Sequence, residues 1–511
     1  MTRHTALTRR ELLRRSSLLG LAAPALPWAG PLASLAAAGT SASAQAATFS
    51  DYRALVCIFL YGGNDAYNTV LATDSASWAA YLAARNSGSE PIALMAPGTA
   101  AVPGSSSFQA TLGGVLPISP LRNQGRSLAL HPTLTRTRDL FAARRLAVLA
   151  NVGPLVRPIT KADYLGATAP RPAKLFSHND QQATWQTLTT EGSTPGWGGR
   201  LTDGLLASNA HANFSAISVY GSAPWLSGQQ TRSYQLATSG AIHLGGNGSL
   251  FGSAVAQQKL VSLARNSRSA NLIEHDHVAV TGRSVDAEAT LASQLPGATA
   301  GAWGTSGLAT GAIDPLLTFV NPDTQAIELN PLAQQLQAVA RMIAARGTLG
   351  QQRQVFFVGL GSFDTHDGQP RRHATLLAQL DQALGYFDST LTKMGVGSNV
   401  TTFTASDFGR AFQTNGDGCD HGWGGHHLVM GGAVKGGDLY GSFPAYGLSD
   451  GKGGFNAPQQ LAAGALLPTT SVEQYAATLG RWMGVADADL LGLLPNLANT
   501  DSSLRNLGFM A

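Results

Sequence analysis

The stretch from Val400 to His427 carries a high density of carboxylates and imidazoles among glycines. It begins with a short apolar run and then becomes polar. Its charged and imidazole side chains are Asp407, Arg410, Asp417, Asp420, His421, His426 and His427. Because carboxylate oxygen and imidazole nitrogen are common ligands of divalent metals, the pattern predicts a metal site. Any one of these residues taken alone would better fit an ordinary solvated loop, and it is the cluster that favours a metal.

The elements that must position these residues alternate between predicted strands and predicted helices. The predicted strands are residues 54–61, 146–152, 214–220, 354–360 and 400–405. The predicted helices are residues 134–145, 331–346, 373–394 and 472–485. Continuous apolar strands are typical of parallel sheets that are buried on both faces. The sequence therefore predicts an α/β fold built on a mostly parallel sheet.

Acidic residues and histidines follow several of these strands directly. Asp65 comes after the first strand, Asp364 and His366 come after the fourth, and Asp407 comes after the fifth. Ligands of open α/β sheets bind at the carboxyl ends of the strands. We therefore expect these four residues to meet at one edge of the sheet, although Asp65 would also fit a simple turn.

A second group of candidate residues lies in the middle of the chain. Ser177, within FSHNDQQ, could act as a nucleophile or could cap a helix together with Asp180. Arg200, within GWGGR, could clamp an anion or pair with a surface acid. The sequence around His275 and His277 favours a helical surface patch over a second metal site.

Composition and charge exclude some classes of protein. The 511 residues are 44% hydrophobic and 13% charged, which is a globular composition. The formal net charge of +4 comes entirely from residues 1–46, which hold five arginines and one acid. The remaining chain is neutral, so nothing predicts nucleic-acid binding.

Residues 1–46 predict an export signal. An arginine pair, Arg9-Arg10, precedes an apolar stretch, and Ala44-Gln45-Ala46 follows as a small-x-small cleavage site. The pair resembles the twin-arginine signal. Prolines interrupt the apolar stretch and disfavour the alternative, a membrane anchor. We therefore expect a periplasmic or secreted protein with no membrane span after signal removal.

Several motifs together resemble one family of exported bacterial proteins, the domain of unknown function fifteen hundred and one. The motifs are FLYGGND, FSHNDQQATWQ, GWGGR, FDTHDGQ, SDFGR and DHGWGGHH. The resemblance implies an alkaline phosphatase-like fold, a mostly parallel sheet sandwiched between helices with Gly-rich insertions. It also implies one such domain over residues 47–511, for which we expect a cap or insertion at residues 221–310.

The resemblance further implies roles for individual residues. The metal ligands that it implies are Asp65, Asp364, His366, Asp407 and His421, with Ser177 as nucleophile. Asp420 and His421 could instead replace Asp407 as the later pair, with His426 or His427 as the last ligand. The chain departs from the superfamily pattern at Phe408, where a histidine is usual.

The sequence supports two candidate functions. The first is a metal-dependent hydrolase of phosphate or sulfate esters. It would use one or two divalent ions (zinc, manganese or calcium), a metal-activated Ser177, and Arg200 or Arg410 to stabilise the charge of an anionic ester substrate. The second is an exported binding or structural protein on the same scaffold. A copper or redox enzyme is a weaker third, because only Cys419 offers a local sulfur ligand.

Overall fold

The structure is a computed structural model that describes residues 49–243, 249–266, 271–309 and 311–511. Phe49–Ala511 forms one compact unit. The predicted export signal at residues 1–46 lies outside the described residues.

The strands and helices alternate along most of the chain. The strands are β1 (Arg53–Leu60), β2 (Val70–Ala72), β3 (Leu116–Ile118), β4 (Leu128–Leu130), β5 (Leu146–Gly153), β6 (Ala216–Ser218), β7 (Tyr234–Gln235), β8 (Thr318–Val320), β9 (Ile327–Leu329), β10 (Arg353–Leu360), β11 (Val400–Ser406), β12 (Arg410–Thr414), β13 (Cys419–His421), β14 (Gly425–Met430), β15 (Leu439–Tyr440) and β16 (Thr470–Ser471). The helices are α1 (Ala66–Thr69), α2 (Ser75–Arg85), α3 (Phe108–Leu112), α4 (Thr135–Ala142), α5 (Lys161–Leu165), α6 (His178–Thr187), α7 (Trp197–Asp203), α8 (Ala254–Asn266), α9 (Leu272–Gln294), α10 (Pro331–Ala344), α11 (Gln369–Lys393), α12 (Val472–Met483) and α13 (Asp487–Leu493).

One large sheet organises the molecule, with the strand order β15-β5-β14-β11-β1-β10-β6-β7 and β16 paired to β5. β1 is central and runs parallel to β10 on one side and to β11 on the other. β14 is antiparallel to both of its neighbours, β11 and β5. The mixed α/β architecture with a mainly parallel central sheet, expected from the sequence, is confirmed.

Helices cover both faces of this sheet. Alternate residues of β1 point to opposite sides, as the period of a strand requires. Ala54, Val56 and Ile58 join a core formed with α10 and α11, whereas Leu55 and Phe59 join a core formed with α7 and α12. All these strand residues are buried, which explains why the run is apolar without alternation.

The carboxyl ends of β1, β10 and β11 therefore lie side by side. Backbone register pairs Leu60 with both Leu360 and Ser406. The polar segments that follow these three residues leave the sheet at the same edge. The candidate functional residues on these segments therefore start from one edge of the sheet.

Residues of the expected insertion at 221–310 pack beside α10. Leu291 on α9 is fully buried in the same core as α10, and Gln337 donates from Nε2 to the backbone carbonyl of Trp303 at 3.2 Å. His275 and His277 are exposed on α9, as expected for a helical surface patch. Among the described helices, none is both long and apolar enough to span a membrane.

Candidate metal centre

Three imidazoles and one carboxylate converge where the strands end. Nε2 of His421 lies 3.1 Å from Nε2 of His178 and 2.9 Å from Nε2 of His366. The Asp364 carboxylate lies 3.4 Å from Nε2 of His178, 3.1 Å from that of His366 and 3.4 Å from that of His421. We call these four residues the His3Asp cluster.

Each imidazole of the cluster is oriented through its other nitrogen. Nδ1 of His178 donates to Oδ2 of Asp407 at 2.7 Å, and Nδ1 of His421 donates to the carbonyl of Phe176 at 2.7 Å. Nδ1 of His366 lies 3.3 Å from Oδ1 of Asp420. These acceptors favour the tautomer that leaves each Nε2 with a free lone pair. The lone pairs of His178 and His366 then each face Nε2 of His421, an arrangement that a cation beside these atoms would stabilise.

One ligand atom each from His178, Asp364 and His421 lies within 4.8 Å of the other two, close enough to share one ion, and Nε2 of His366 adjoins Asp364 and His421 from one side. In a tetrahedral zinc site with bonds of about 2.0–2.1 Å, neighbouring ligand atoms lie about 3.3 Å apart. Nitrogen-rich donor sets suit zinc and other transition metals, whereas calcium and magnesium prefer oxygen alone. The His3Asp cluster could therefore hold a divalent transition-metal ion.

Helix α6 brings His178 to the cluster. His178 is its first residue, and Gln182, one turn later on the same face, donates to Oδ2 of Asp407 at 2.8 Å. Asp407 is fully buried after β11, and its hydrogen bond raises the pKa of His178. Oδ1 of Asp407 has no hydrogen-bond partner among the described residues.

The carbonyl that orients His421 comes from a strained residue. Phe176 has a φ of +71°, which is uncommon for a residue with a side chain. Burial lowers the pKa of His421, and the Phe176 carbonyl opposes that effect in part. Strain of this kind persists where surrounding contacts impose it, here at the loop that precedes α6.

Arg410 lies behind the Asp364 carboxylate. It is fully buried and donates to Oδ1 of Asp364 at 2.9 Å and to the Gly62 carbonyl at 3.0 Å. Nε donates to the Cys419 carbonyl at 3.0 Å. Burial alone would raise the pKa of Asp364, but the hydrogen bond and charge of Arg410 outweigh it, and the pKa is lowered. Arg410 thus holds Asp364 anionic.

Asp65 is not part of the cluster, although the sequence predicted it as a metal ligand. It is fully buried, and its Oδ2 accepts from Arg85 of α2 and from Nε2 of Gln369, the latter at 2.6 Å. Its Oδ1 accepts from the Tyr67 amide at 3.1 Å. The partners of Asp65 are therefore protein donors, which neutralise it inside the fold.

Ser177 and Arg200 also lie outside the cluster. The Ser177 hydroxyl donates to Oδ2 of Asp180 at 2.8 Å instead of capping the helix through a backbone amide. Arg200 donates from Nη2 to the Thr187 carbonyl at 3.0 Å and lies near Glu473. Ser177 directly precedes His178, whereas Arg200 faces the far end of α6.

The remaining predicted residues divide between the outer shell of the cluster and the core. Asp420 is exposed and contacts His366 as described above. His426 and His427 are buried on β14, where Nδ1 of His426 accepts from the Asn151 amide at 3.1 Å. Both cysteines, Cys57 and Cys419, are free and buried. The structure thus brings together Asp364, His366 and His421, with Asp407 and Asp420 one step removed.

His178 is the cluster residue that sequence reasoning missed as a ligand. The motif FSHNDQQ predicts a role for Ser177, the residue directly before His178. The available signal was the pair His178 and Gln182, which places two polar side chains on one face of a helix that starts where the sheet ends.

Comparison with known proteins reveals distant structural similarity and a family. The crystal structure of Ps i-CgsB in complex with k-i-k-neocarrahexaose is 9% identical, with a TM-score of 0.32, over 88% of this chain and 77% of that one. The crystal structure of Ps i-CgsB is 8% identical, with a TM-score of 0.30, over the same shares. Similarity at this level carries no inference about activity. Curated protein sequences give no match.

A family model matches most of the chain. It is described as a protein of unknown function (DUF1501), and the match covers residues 52–492. This range includes every residue of the His3Asp cluster together with Asp407 and Asp420. The chain therefore belongs to the DUF1501 family.

Proposed function

We propose that this protein is an exported, metal-dependent hydrolase of phosphate or sulfate esters. The observation that carries the proposal is the convergence of the His3Asp cluster from three separate parts of the chain. Every imidazole in it is oriented through Nδ1, as is usual for histidines that bind metals. The residues would hold one divalent transition-metal ion, with zinc the best fit.

A bound divalent ion would supply Lewis acidity to an ester oxygen and lower the pKa of a bound water or hydroxyl. The cluster is accessible, since the Asp364 side chain is 43% exposed and that of His366 is 41% exposed. A substrate could therefore reach the ligands. The buried and unpartnered Oδ1 of Asp407 supports a second, adjacent ion.

Ser177 is the candidate nucleophile of this proposal. Its hydroxyl already donates to Asp180, so that carboxylate can take the proton as the oxygen attacks the phosphorus or sulfur of the ester and the alcohol group of the ester leaves. The hydroxyl also lies at the start of the ten-residue helix α6, whose dipole stabilises developing negative charge there. An alkaline phosphatase-like scaffold and export through the leader at residues 1–46 complete the proposal.

One observation favours the second candidate, a non-catalytic binding protein. The ring of Phe408 packs 4.9 Å from the His178 ring and 4.7 Å from the His421 ring, measured between centroids. It stands where the superfamily usually has a histidine. An apolar ring there would leave a second ion one ligand short.

The test combines metal analysis with a screen of phosphate and sulfate esters on the exported protein. We expect about one equivalent of transition metal or more, and ester turnover, both lost in His178→Ala. His275→Ala replaces an exposed histidine on α9 and serves as the matched control. Metal-loaded protein that turns over no ester would support the binding protein instead, and metal content unchanged in His178→Ala would contradict the site.

A further inference from the structure

A cavity of about 510 Å³ adjoins the His3Asp cluster and shares Asp364 with it. Its volume lies within the range of small-molecule sites. Ser362, Arg371, Arg372 and Thr375 line it together with Asp323 and Leu376, and we call the first four residues the arginine groove. The groove continues from the candidate metal ligands, so a molecule bound at the cluster would extend into it.

The two arginines of the groove differ in how firmly they are held. Arg371 pairs with Asp323 and Glu90, and its guanidinium lies 4.8 Å from the Phe108 ring centroid. Arg372 pairs with Asp367 at 2.7 Å, and these two side chains are 55% and 69% exposed. Exposed pairs of this kind contribute little free energy. Arg372 can therefore exchange Asp367 for a ligand at low cost.

The backbone at the start of the groove directs polar groups towards the cavity. Ser362 has a φ of +75° and is exposed, while the next residue, Phe363, is fully buried and bonded through its amide to the Tyr61 carbonyl at 2.9 Å. The buried Phe363 fixes the chain, so Ser362 stays on the cavity side. Ser362 and the two arginines all line the cavity, and hydroxyl and guanidinium groups suit an oxyanion.

We propose that the arginine groove binds a second anionic group of the substrate, so that the substrates are esters carrying an additional carboxylate, sulfate or phosphate. This inference rests on the proposed function. Asp364 would be committed to the metal, and Asp323, which also lines the cavity, pairs with Arg371. Arg372, whose partner Asp367 is exposed, is then the cation that can turn to an anionic ligand. A charge-assisted, bidentate contact with Arg372 would select such molecules over esters with one anionic group.

The test uses non-hydrolysable sulfonates, so that binding is measured apart from turnover. Alkane disulfonates of graded chain length are compared with the matching monosulfonates by calorimetry on the metal-loaded protein. We expect the best disulfonate to bind at least about tenfold more tightly than its monosulfonate, the size of one charge-assisted hydrogen bond. Arg372→Gln should remove most of this difference. Arg138→Gln, which breaks another exposed arginine pair, should leave it unchanged.

The outcomes separate the two proposals. Equal affinity for both sulfonates, including no binding of either, would overturn the groove assignment. A difference that persists in Arg372→Gln would overturn it too. A difference that Arg372→Gln removes, in a protein that hydrolyses no ester, would uphold the groove as an anion site and overturn the hydrolase function alone.

Discussion

Asp407 acts on the His3Asp cluster through His178. Its buried carboxylate accepts from Nδ1 of His178 and from Gln182, so it fixes the ring and favours the tautomer that can bind a metal. Asp420 plays the same part for His366 from an exposed position. Asp407 and Asp420 thus orient His178 and His366 and place negative charge beside them. A neutral replacement of Asp407 isolates the effect of its charge on metal binding.

We predict that Asp407→Asn lowers metal affinity by about 10- to 100-fold, the usual cost of losing an outer-shell partner. The amide keeps the shape of the carboxylate but removes its charge from His178. Competition with a chromophoric chelator measures the affinity. Asp139→Asn, at an exposed acid, serves as the control, and equal affinity in the two variants would contradict the role assigned to Asp407.

At the scale of elements, the turns after β1 and β10 depend on close backbone contact. Gly62 has a φ of +112°, and a Cβ there would lie 2.3 Å from the Asp364 amide nitrogen. The turn after β1 therefore holds the backbone that carries Asp364. A methyl group at Gly62 therefore cannot be accommodated unless the backbone of Asp364 moves.

Gly62→Ala should cost at least about 2 kcal/mol of stability, from backbone strain and overpacking together. It should also weaken metal binding, because Asp364 must shift. Gly98→Ala is the matched control, since Gly98 also has a positive φ but nothing lies within 4 Å of its added Cβ. Denaturant unfolding and chelator competition measure the two effects. Metal affinity that stays unchanged in Gly62→Ala would disprove the coupling.

The sequence predicted the strands that are buried on both faces, because a continuous apolar run such as that of β1 is typical of a strand in the middle of a parallel sheet. The sequence analysis did not predict β14, because its polar residues His426 and His427 do not form an apolar run. Both residues are nevertheless buried as neutral rings. Strand-end reasoning found Asp364 and His366. The structure places Asp65 away from the cluster and paired with Arg85, and the sequence does not reveal this contact because it depends on tertiary packing. His178 begins a helix, where strand-end reasoning does not apply.

At the scale of the whole molecule, several histidines are buried as neutral groups. Burial lowers the pKa of His373, His426 and His427 to about 3 and that of His131 well below its usual value. The unfolded chain binds protons on these residues near pH 6.5, as free histidine does. Stability is therefore lost as the pH falls below about 6.5. Glu473, whose pKa burial raises to about 7, acts in the opposite direction.

We predict that His427→Gln flattens the acid side of the stability profile. Between about pH 6 and pH 4, one neutral buried histidine contributes a slope of about 1.4 kcal/mol per pH unit. Denaturant unfolding across this range measures the slope in each variant. His275→Gln, at an exposed position, should leave the slope as it is in the parent. If both variants kept the parent slope, His427 would have to be charged or exposed in the folded protein.

Whether the His3Asp cluster binds a metal can be seen in an anomalous-scattering map from crystals of the purified protein, recorded at the absorption edge of the metal found by elemental analysis. We expect a peak about 2.0–2.2 Å from Nε2 of His178, His366 and His421 and from an oxygen of Asp364. No peak at this position in metal-containing protein, or a peak centred on Asp65, would contradict the proposed site.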